Sequence, residues 1–411
     1  MPVIGVPAFS SEIVLFNVAN FGGLPTSGNK WNKIIEWSHT GPHYTTMGMG
    51  LATPPFIFDQ NDNADISVLA DAIVGAKLGS PVGDPYIVSA RDRIIAGYPF
   101  LNYFLDPTPS PTGPVPHPPE TLALGRNAVS IVCAWNIIKQ AQPAAISDEQ
   151  ERQFRQWILK IWESPKLHDN RTFQEACFER ANNWGAMCRA SGTAICVYLN
   201  RVKETLRLAE SFNAWSGDVT SSEYPNLQFE EDTYQLQTYN PPEPNYGIIP
   251  PLKYYDYPGT TQPADGAMPE ELRRDTCYNA DATCAPTFHY PVPETGYHYE
   301  ALQGAVVQAA ILEANGISAW VMNSSAIGRA YTFINTHARK CKASGVFCMG
   351  GTGTVDLGIE DPADTIGQPP TSDDRMYGKI LDFIYGVDYY LSPSTDKGKN
   401  MIGLDWYLGA P

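Results

Sequence analysis

The strongest constraint on this chain is the helical periodicity of residues 120–215. Phe154, Trp157, Ile158, Ile161 and Trp162 occupy the i, i+3, i+4, i+7 and i+8 positions of one buried helix face. Ser147, with Gln150 three residues on, forms a capping box that satisfies the first amides of that helix reciprocally, and Pro165 ends it. Residues 173–199 read as the next one or two helices and 202–215 as another. Upstream, Ile66, Leu69, Ile73 and then Ile94, Ile95, Tyr98, Leu101 place helices over 64–78 and 86–105. A short amphipathic piece runs from Trp31 to Trp37 within an otherwise loop-rich N-terminal arm, residues 1–60. Helices resume over 297–313, 319–343 and 375–391. Strand signals are few and no fixed-period repeat appears, which disfavours a regular solenoid. The expected fold is all-α, an incomplete (α/α) toroid formed by residues 1–411 as a single domain.

Long irregular connections are expected beside these helices, because the chain carries 34 glycines and 35 prolines. The Pro-rich run 107–119 reads as extended. Residues 216–296, rich in Pro, Tyr, Asp and Asn, read as a long loop region over a cleft, and loops of that length in a compact protein are commonly functional. Hydrophobic residues make up 43% and charged residues 18% of the chain, enough for a substantial core and too apolar for global disorder. No uninterrupted apolar run reaches the roughly 18 residues of a membrane span, so no membrane partner is expected. The formal charge of −16 argues against a nucleic-acid partner, which needs excess cations to displace phosphate counterions. It does not exclude an anionic sugar, since a few cations in one cleft suffice. The 22 tyrosines and 9 tryptophans suit sugar rings and ordinary cores alike.

Of the 8 cysteines, Cys277/Cys284 and Cys341/Cys348 share a C-x6-C spacing in polar surroundings and read as local disulfides, which implies an oxidising compartment. Cys133, Cys177, Cys188 and Cys196 lie in apolar helical stretches and read as small core residues. No CxxC pair is present, and no metal or cofactor is expected. Met1-Pro2-Val3-Ile4-Gly5-Val6 lacks the basic start of a signal peptide. The expected location is extracellular, by secretion or in a virion.

Two stretches carry chemistry. One is Ala181-Asn182-Asn183-Trp184-Gly185. The other begins at Asp265-Gly266, runs through Pro269-Glu270-Glu271-Leu272-Arg273-Arg274, and continues after an insertion as Tyr297-His298-Tyr299-Glu300-Ala301-Leu302. In order and character, over residues 120–323, these motifs resemble the alginate lyase superfamily of (α/α)-toroid polysaccharide lyases. That family shows an Asn-Asn-(His or Trp) helix start, a DG…E…R segment and a Tyr-His-…-Ala-Leu helix.

The resemblance implies β-elimination on a 4-linked polyuronate, either mannuronate-rich alginate or glucuronan. Removing the C5 proton beside the C6 carboxylate creates an unfavourable dianion, so donors must first neutralise that carboxylate. An Asn amide and an Arg guanidinium do so without acting as bases. By the resemblance, Asn183 (or Asn182) neutralises the carboxylate, and Arg273 or Arg274 binds it or holds the tyrosine anionic. Tyr297 serves as base and then acid, with His298 beside it. One tyrosine suffices for mannuronate or glucuronate, in which H5 and O4 share a ring face. Two departures stand out: the long insertion before Tyr297, and Trp184 at the position of the alginate lyases' histidine. Trp184 can stack on a sugar but cannot supply an imidazole; His168, His298, His39 and His43 are the candidates for that role. Tyr299 is a further candidate substrate contact.

Plainer readings exist for each residue. Asn182-Asn183 can be a helix N-cap, Tyr297 and Tyr299 packing residues, His298 a structural histidine, and Arg273-Arg274 a solvated face. Two rival functions follow: a glycoside hydrolase pairing Asp265 with Glu231 or Glu270, and a non-catalytic carbohydrate-binding or virion protein. The run from Asp59 to Asp65 opens like an EF-hand loop, but Ala64 and Ala70 replace its required Gly and Glu. The Gly-rich run 349–354 lacks the GK[ST] ending of a phosphate loop.

Overall fold

A computed structural model describes residues 15–43, 64–105 (side chains to 98), 121–167, 169–229, 244–251, 254–257, 260–263, 265–272, 295–335, 377–389 and 401–410. These are mostly helical: α1 (Asn29–Trp37), α2 (Ala64–Leu78), α3 (Asp84–Leu105), α4 (Thr121–Ala141), α5 (Asp148–Trp162), α6 (Phe173–Glu179), α7 (Asn183–Tyr198), α8 (Val202–Trp215), α9 (Pro269–Leu272), α10 (Thr295–Ala314), α11 (Met322–Phe333), α12 (Gly378–Tyr385) and α13 (Leu404–Tyr407). The local signals act where the residues place them. Both halves of the Ser147/Gln150 capping box form, and a second box pairs Thr172 with Glu175 at the start of α6. The stretch read as one or two helices over 173–199 is two, broken at Arg180–Asn182. Residues 254–263, read as irregular, instead contain an antiparallel hairpin, β1 (Tyr254–Tyr257) with β2 (Thr260–Pro263), in register from Tyr254↔Pro263 to Tyr257↔Thr260. Tyrosine and threonine favour extended backbone, and Pro258-Gly259 lies between the strands.

The core is organised by helices lying side by side: α2 packs on α4, α4 on α7 and α7 on α10. Cross-contacts show that α4, α7 and α10 run parallel. Along α4 and α7, Gly125 sits against Met187 and Cys188, while the Val129 amide donates to Ser191 Oγ at 2.9 Å. Along α7 and α10, Gly304 lies against Ala186, and Gln308 Nε2 donates to Thr193 Oγ1 at 3.1 Å. The C-terminal ends of α2 and α4 both meet residues of the N-terminal arm. Lys77 Nζ donates to the Phe21 carbonyl at 2.6 Å and Gln140 Nε2 to the Phe16 carbonyl at 2.9 Å, so α2 runs the same way. Other helices return in the opposite sense. On α3, Arg93 reaches back to the Ala64 carbonyl, and on α5 Glu151 accepts from Trp135 Nε1 at 2.8 Å.

Helix α4 is long and apolar enough to cross a membrane, yet its residues 121–138 are all buried here, as a predominantly apolar helix in a large core should be. The C-terminal residues clasp the N-terminal arm: Trp406 packs on Trp31 and donates to the Pro25 carbonyl at 2.9 Å. Cys133, Cys177, Cys188 and Cys196 are free and buried, as their apolar setting predicts. The two C-x6-C pairs and the Pro-rich run 107–119 lie outside the described residues.

The small residues between the parallel helices set their spacing. A Cβ at Gly304 would stand 2.5 Å from the Ala186 carbonyl carbon and 2.7 Å from the Met187 nitrogen, both backbone atoms that cannot rotate aside. Gly304→Ala is expected to lower unfolding free energy by about 1–3 kcal/mol through overpacking, seen as a lower urea midpoint with unchanged slope.

Candidate functional site

Because α4, α7 and α10 are parallel, their N-terminal ends lie together, and three polar side chains meet there. Glu300, in the second turn of α10, accepts from Asn183 Nδ2 at 2.6 Å through one carboxylate oxygen. Its other oxygen accepts from Arg126 Nη2 of α4 at 2.7 Å. All three are buried; Asn183 is 0% exposed. Sequence reasoning singled out Asn183, but it quoted Glu300 without assigning it a role and passed over Arg126. The missed signal was charge inside an apolar helix: in the run Leu122-Ala123-Leu124-Gly125-Arg126-Asn127-Ala128-Val129, Arg126 is the one ion among mostly apolar residues, where it needs a partner.

The start of α7 is built by close backbone approach. Asn182 is its N-cap, and its side-chain oxygen accepts from the Gly185 amide. Gly185 lies so tightly on the Arg180 carbonyl that any Cβ would collide with it. Beside this, the Arg180 guanidinium stacks on the half-buried Trp184 ring, 4.6 Å from its centroid. Asp169 holds that guanidinium at 3.0 Å and also accepts from Thr121 Oγ1, at the start of α4, at 2.5 Å. Two networks therefore flank the first turn of α7, one around Glu300 and one around Asp169.

Tyr297 stands three residues before Glu300, on the same helix face one turn nearer the N-terminus. It is half-buried. The next two residues turn inward. Tyr299 is buried and its hydroxyl donates to Asn335 at 3.1 Å. His298 is 0% exposed; its Nε2 lies 3.2 Å from the Ala330 carbonyl, which fixes the proton on that nitrogen. Burial pushes its imidazole from 6.5 down to about 3, against the opposing hydrogen bond to Ala330, so the ring is neutral in ordinary buffers.

The remaining candidates are placed elsewhere or not described. His39 follows α1, with its Nδ1 2.9 Å and its amide 2.8 Å from the buried Asp71 carboxylate of α2. Asp71 also accepts from Ser89 at 2.6 Å, and His39 packs on Tyr86. Asp71 lies on α2, and Tyr86 and Ser89 on α3. His43 is exposed and stacks on Trp37. His168, Arg273 and Arg274 lie outside the described residues, as does Glu231. Of the other carboxylates proposed for a hydrolase, Asp265 is ion-paired to Arg329 Nε at 2.7 Å and Glu270 is buried. Deeper still, Arg189 is wholly buried over the Trp215 ring, and burial lowers it to about 10. No group of three or more metal-ligating side chains occurs among the described residues.

Comparison of the sequence with known protein-family models finds no match, and comparison with curated proteins finds none either.

The state of His298 has a measurable consequence. A base whose folded pKa lies below its unfolded one keeps its full stability contribution above pH 6.5 and loses it as pH falls toward 3, because the unfolded chain takes up the proton first. His298→Asn is therefore expected to reduce the loss of unfolding free energy between about pH 7 and about pH 4, measured by urea titration against the wild type.

Proposed function

We propose that this chain is an (α/α)-toroid polysaccharide lyase that cleaves a 4-linked polyuronate, mannuronate-rich alginate or glucuronan, by β-elimination. The carrying observation is that an amide, Asn183, and a guanidinium, Arg126, meet on one carboxylate at the clustered N-termini of parallel helices, with Tyr297 one turn away. That donor pair is the chemistry needed to hold a uronate. The carboxylate it holds in the structure is internal, that of Glu300. Positive helix ends add to the same field. Parallel helices linked by antiparallel returns are the repeating unit of an (α/α) toroid, and this supports the architecture.

In the proposed reaction Tyr297, as phenolate, takes the C5 proton of a sugar whose C6 carboxylate is neutralised by Asn183 and, following the family resemblance, by Arg273 or Arg274. The electron pair forms the C4–C5 double bond. The bond from C4 to the bridging O4 breaks, and that oxygen leaves with the proton returned by Tyr297. No water is consumed, and the product carries a double bond conjugated to its carboxylate. Trp184, half-buried on its Arg180 backing, supplies an apolar face for a neighbouring sugar ring.

A second reading has an observation in its favour. Asn183 is fully covered and its amide is engaged by Glu300, the arrangement expected of a structural clamp in a non-catalytic carbohydrate-binding protein. The two readings separate in one assay. Incubation with poly-mannuronate, poly-guluronate and glucuronan is expected to release a UV-absorbing unsaturated product from the first or last. Tyr297→Phe is expected to cut that rate by about 10²–10⁴-fold with an unchanged melting temperature. New reducing ends without absorbance indicate a hydrolase; retention on polymer without cleavage indicates a binding protein.

A further inference from the structure

We propose that Asp265 and Arg329 form a conformational lock that holds residues 323–325 in a left-handed turn, out of the right-handed helix they prefer, and that breaking this ion pair opens the turn. Three consecutive residues, none of them glycine, lie in the left-handed region at the start of α11, with φ of 49° at Asn323, 59° at Ser324 and 58° at Ser325. L-residues visit that region singly, because it brings Cβ too close to the following carbonyl, and asparagine tolerates it better than most. The local sequence Val321-Met322-Asn323-Ser324-Ser325-Ala326 holds neither glycine nor proline. By local preference alone, the right-handed part of α11 would extend back through these residues. The restraint therefore comes from outside the turn.

Arg329 supplies it. Its Nη1 donates to the carbonyls of Asn323 and Ser324, the second at 2.8 Å, and its Nη2 donates to the Ile249 carbonyl at 3.2 Å. Its Nε donates to Asp265 at 2.7 Å, which fixes the guanidinium plane that carries the other donors. Asn323 Nδ2 adds bonds to the Asn213 carbonyl at 2.8 Å and to Ser216 Oγ at 2.6 Å, near the end of α8. The Asp265 loop is itself seated on α11: Gly266 has a φ of 83°, and a Cβ there would stand 2.2 Å from the Arg329 carbonyl oxygen. Asp265 keeps 37% of its side chain exposed against 13% for Arg329, so the carboxylate is the accessible half of the lock. The next residue, Ala330, offers its carbonyl to His298 Nε2, which places the lock one residue from a bond to α10. This role for the Asp265-Gly266 motif does not depend on the lyase reading.

Hydrogen–deuterium exchange of the full chain, read on peptides covering residues 320–327, tests the lock. The Ser325 amide donates to the Val321 carbonyl at 3.3 Å and exchanges when the turn opens. Asp265→Ala removes the acceptor that fixes Arg329 and is expected to speed this exchange about tenfold, while exchange across α5 stays unchanged. Ser324→Gly is expected to slow it about threefold, because glycine adopts positive φ without strain. The sign is diagnostic, since in a right-handed turn the same glycine would speed exchange. Should Asp265→Ala fail to fold, Arg329→Lys keeps the charge but replaces directed bonds to four acceptors with a point charge, and it is expected to speed exchange as well. Exchange over 320–327 within about twofold of wild type in the folded Asp265→Ala or Arg329→Lys, or a rise shared equally by α5, overturns the lock. Unchanged or faster exchange in Ser324→Gly overturns the left-handed turn on which the lock acts.

Discussion

One carboxylate shared by helices far apart in the chain is the interaction on which the rest of this arrangement depends. Glu300 belongs to α10, Asn183 to α7 and Arg126 to α4, and the three meet in a buried setting where an unpaired ion would be severely penalised. Sliding α4 or α10 by a turn would strand a charge, and sliding α7 would take the Asn183 amide from Glu300. Gly125 and Gly304 make the contact possible by letting the backbones approach, since a side chain at either position would push α7 away. Close approach and charge pairing therefore act together: small residues set the distance between helices, and the ionic contact sets their register.

The same register assembles the surroundings of the α7 start. Thr121, five residues before Arg126 on α4, reaches Asp169, which holds Arg180 against Trp184. Moving five residues along α4 thus leads from the Asp169 network to the Glu300 network. Each network is internally charge-matched, a sensible arrangement in a chain of net charge −16, where unmatched buried anions would add to a general repulsion. Tyr297 sits half-buried beside this assembly, while His298 and Tyr299 turn into the core, so neighbouring residues of one motif face different environments.

The helices were legible from short-range patterns. The capping box at Ser147, the apolar stripe from Phe154 to Trp162 and the N-cap at Asn182 are decided by residues within a few positions of one another, and they form as read. The hairpin at 254–263 was not legible, because its tyrosines and threonines are interrupted by Pro258 and Gly259, which mask a period-two pattern. In the motif Tyr297-His298-Tyr299-Glu300, sequence reasoning favoured the tyrosine and histidine as reactive types. It could not foresee that burial leaves His298 a neutral imidazole with a pKa of about 3, nor that Glu300 would be the hub.

By itself, then, the amino-acid order determined where helices begin and which faces they bury, because capping and 3.6-residue periodicity are properties of neighbouring residues. It also determined that amides, guanidinium groups and phenols suited to holding an acidic sugar are present. Only the tertiary structure decided which guanidinium shares a carboxylate with Asn183. Arg126 is 174 residues from Glu300, and nothing in local spacing encodes a contact created by parallel helices closing on glycine. Burial decided the rest, since the protonation of a histidine and the orientation of an amide depend on the atoms that replace water around them.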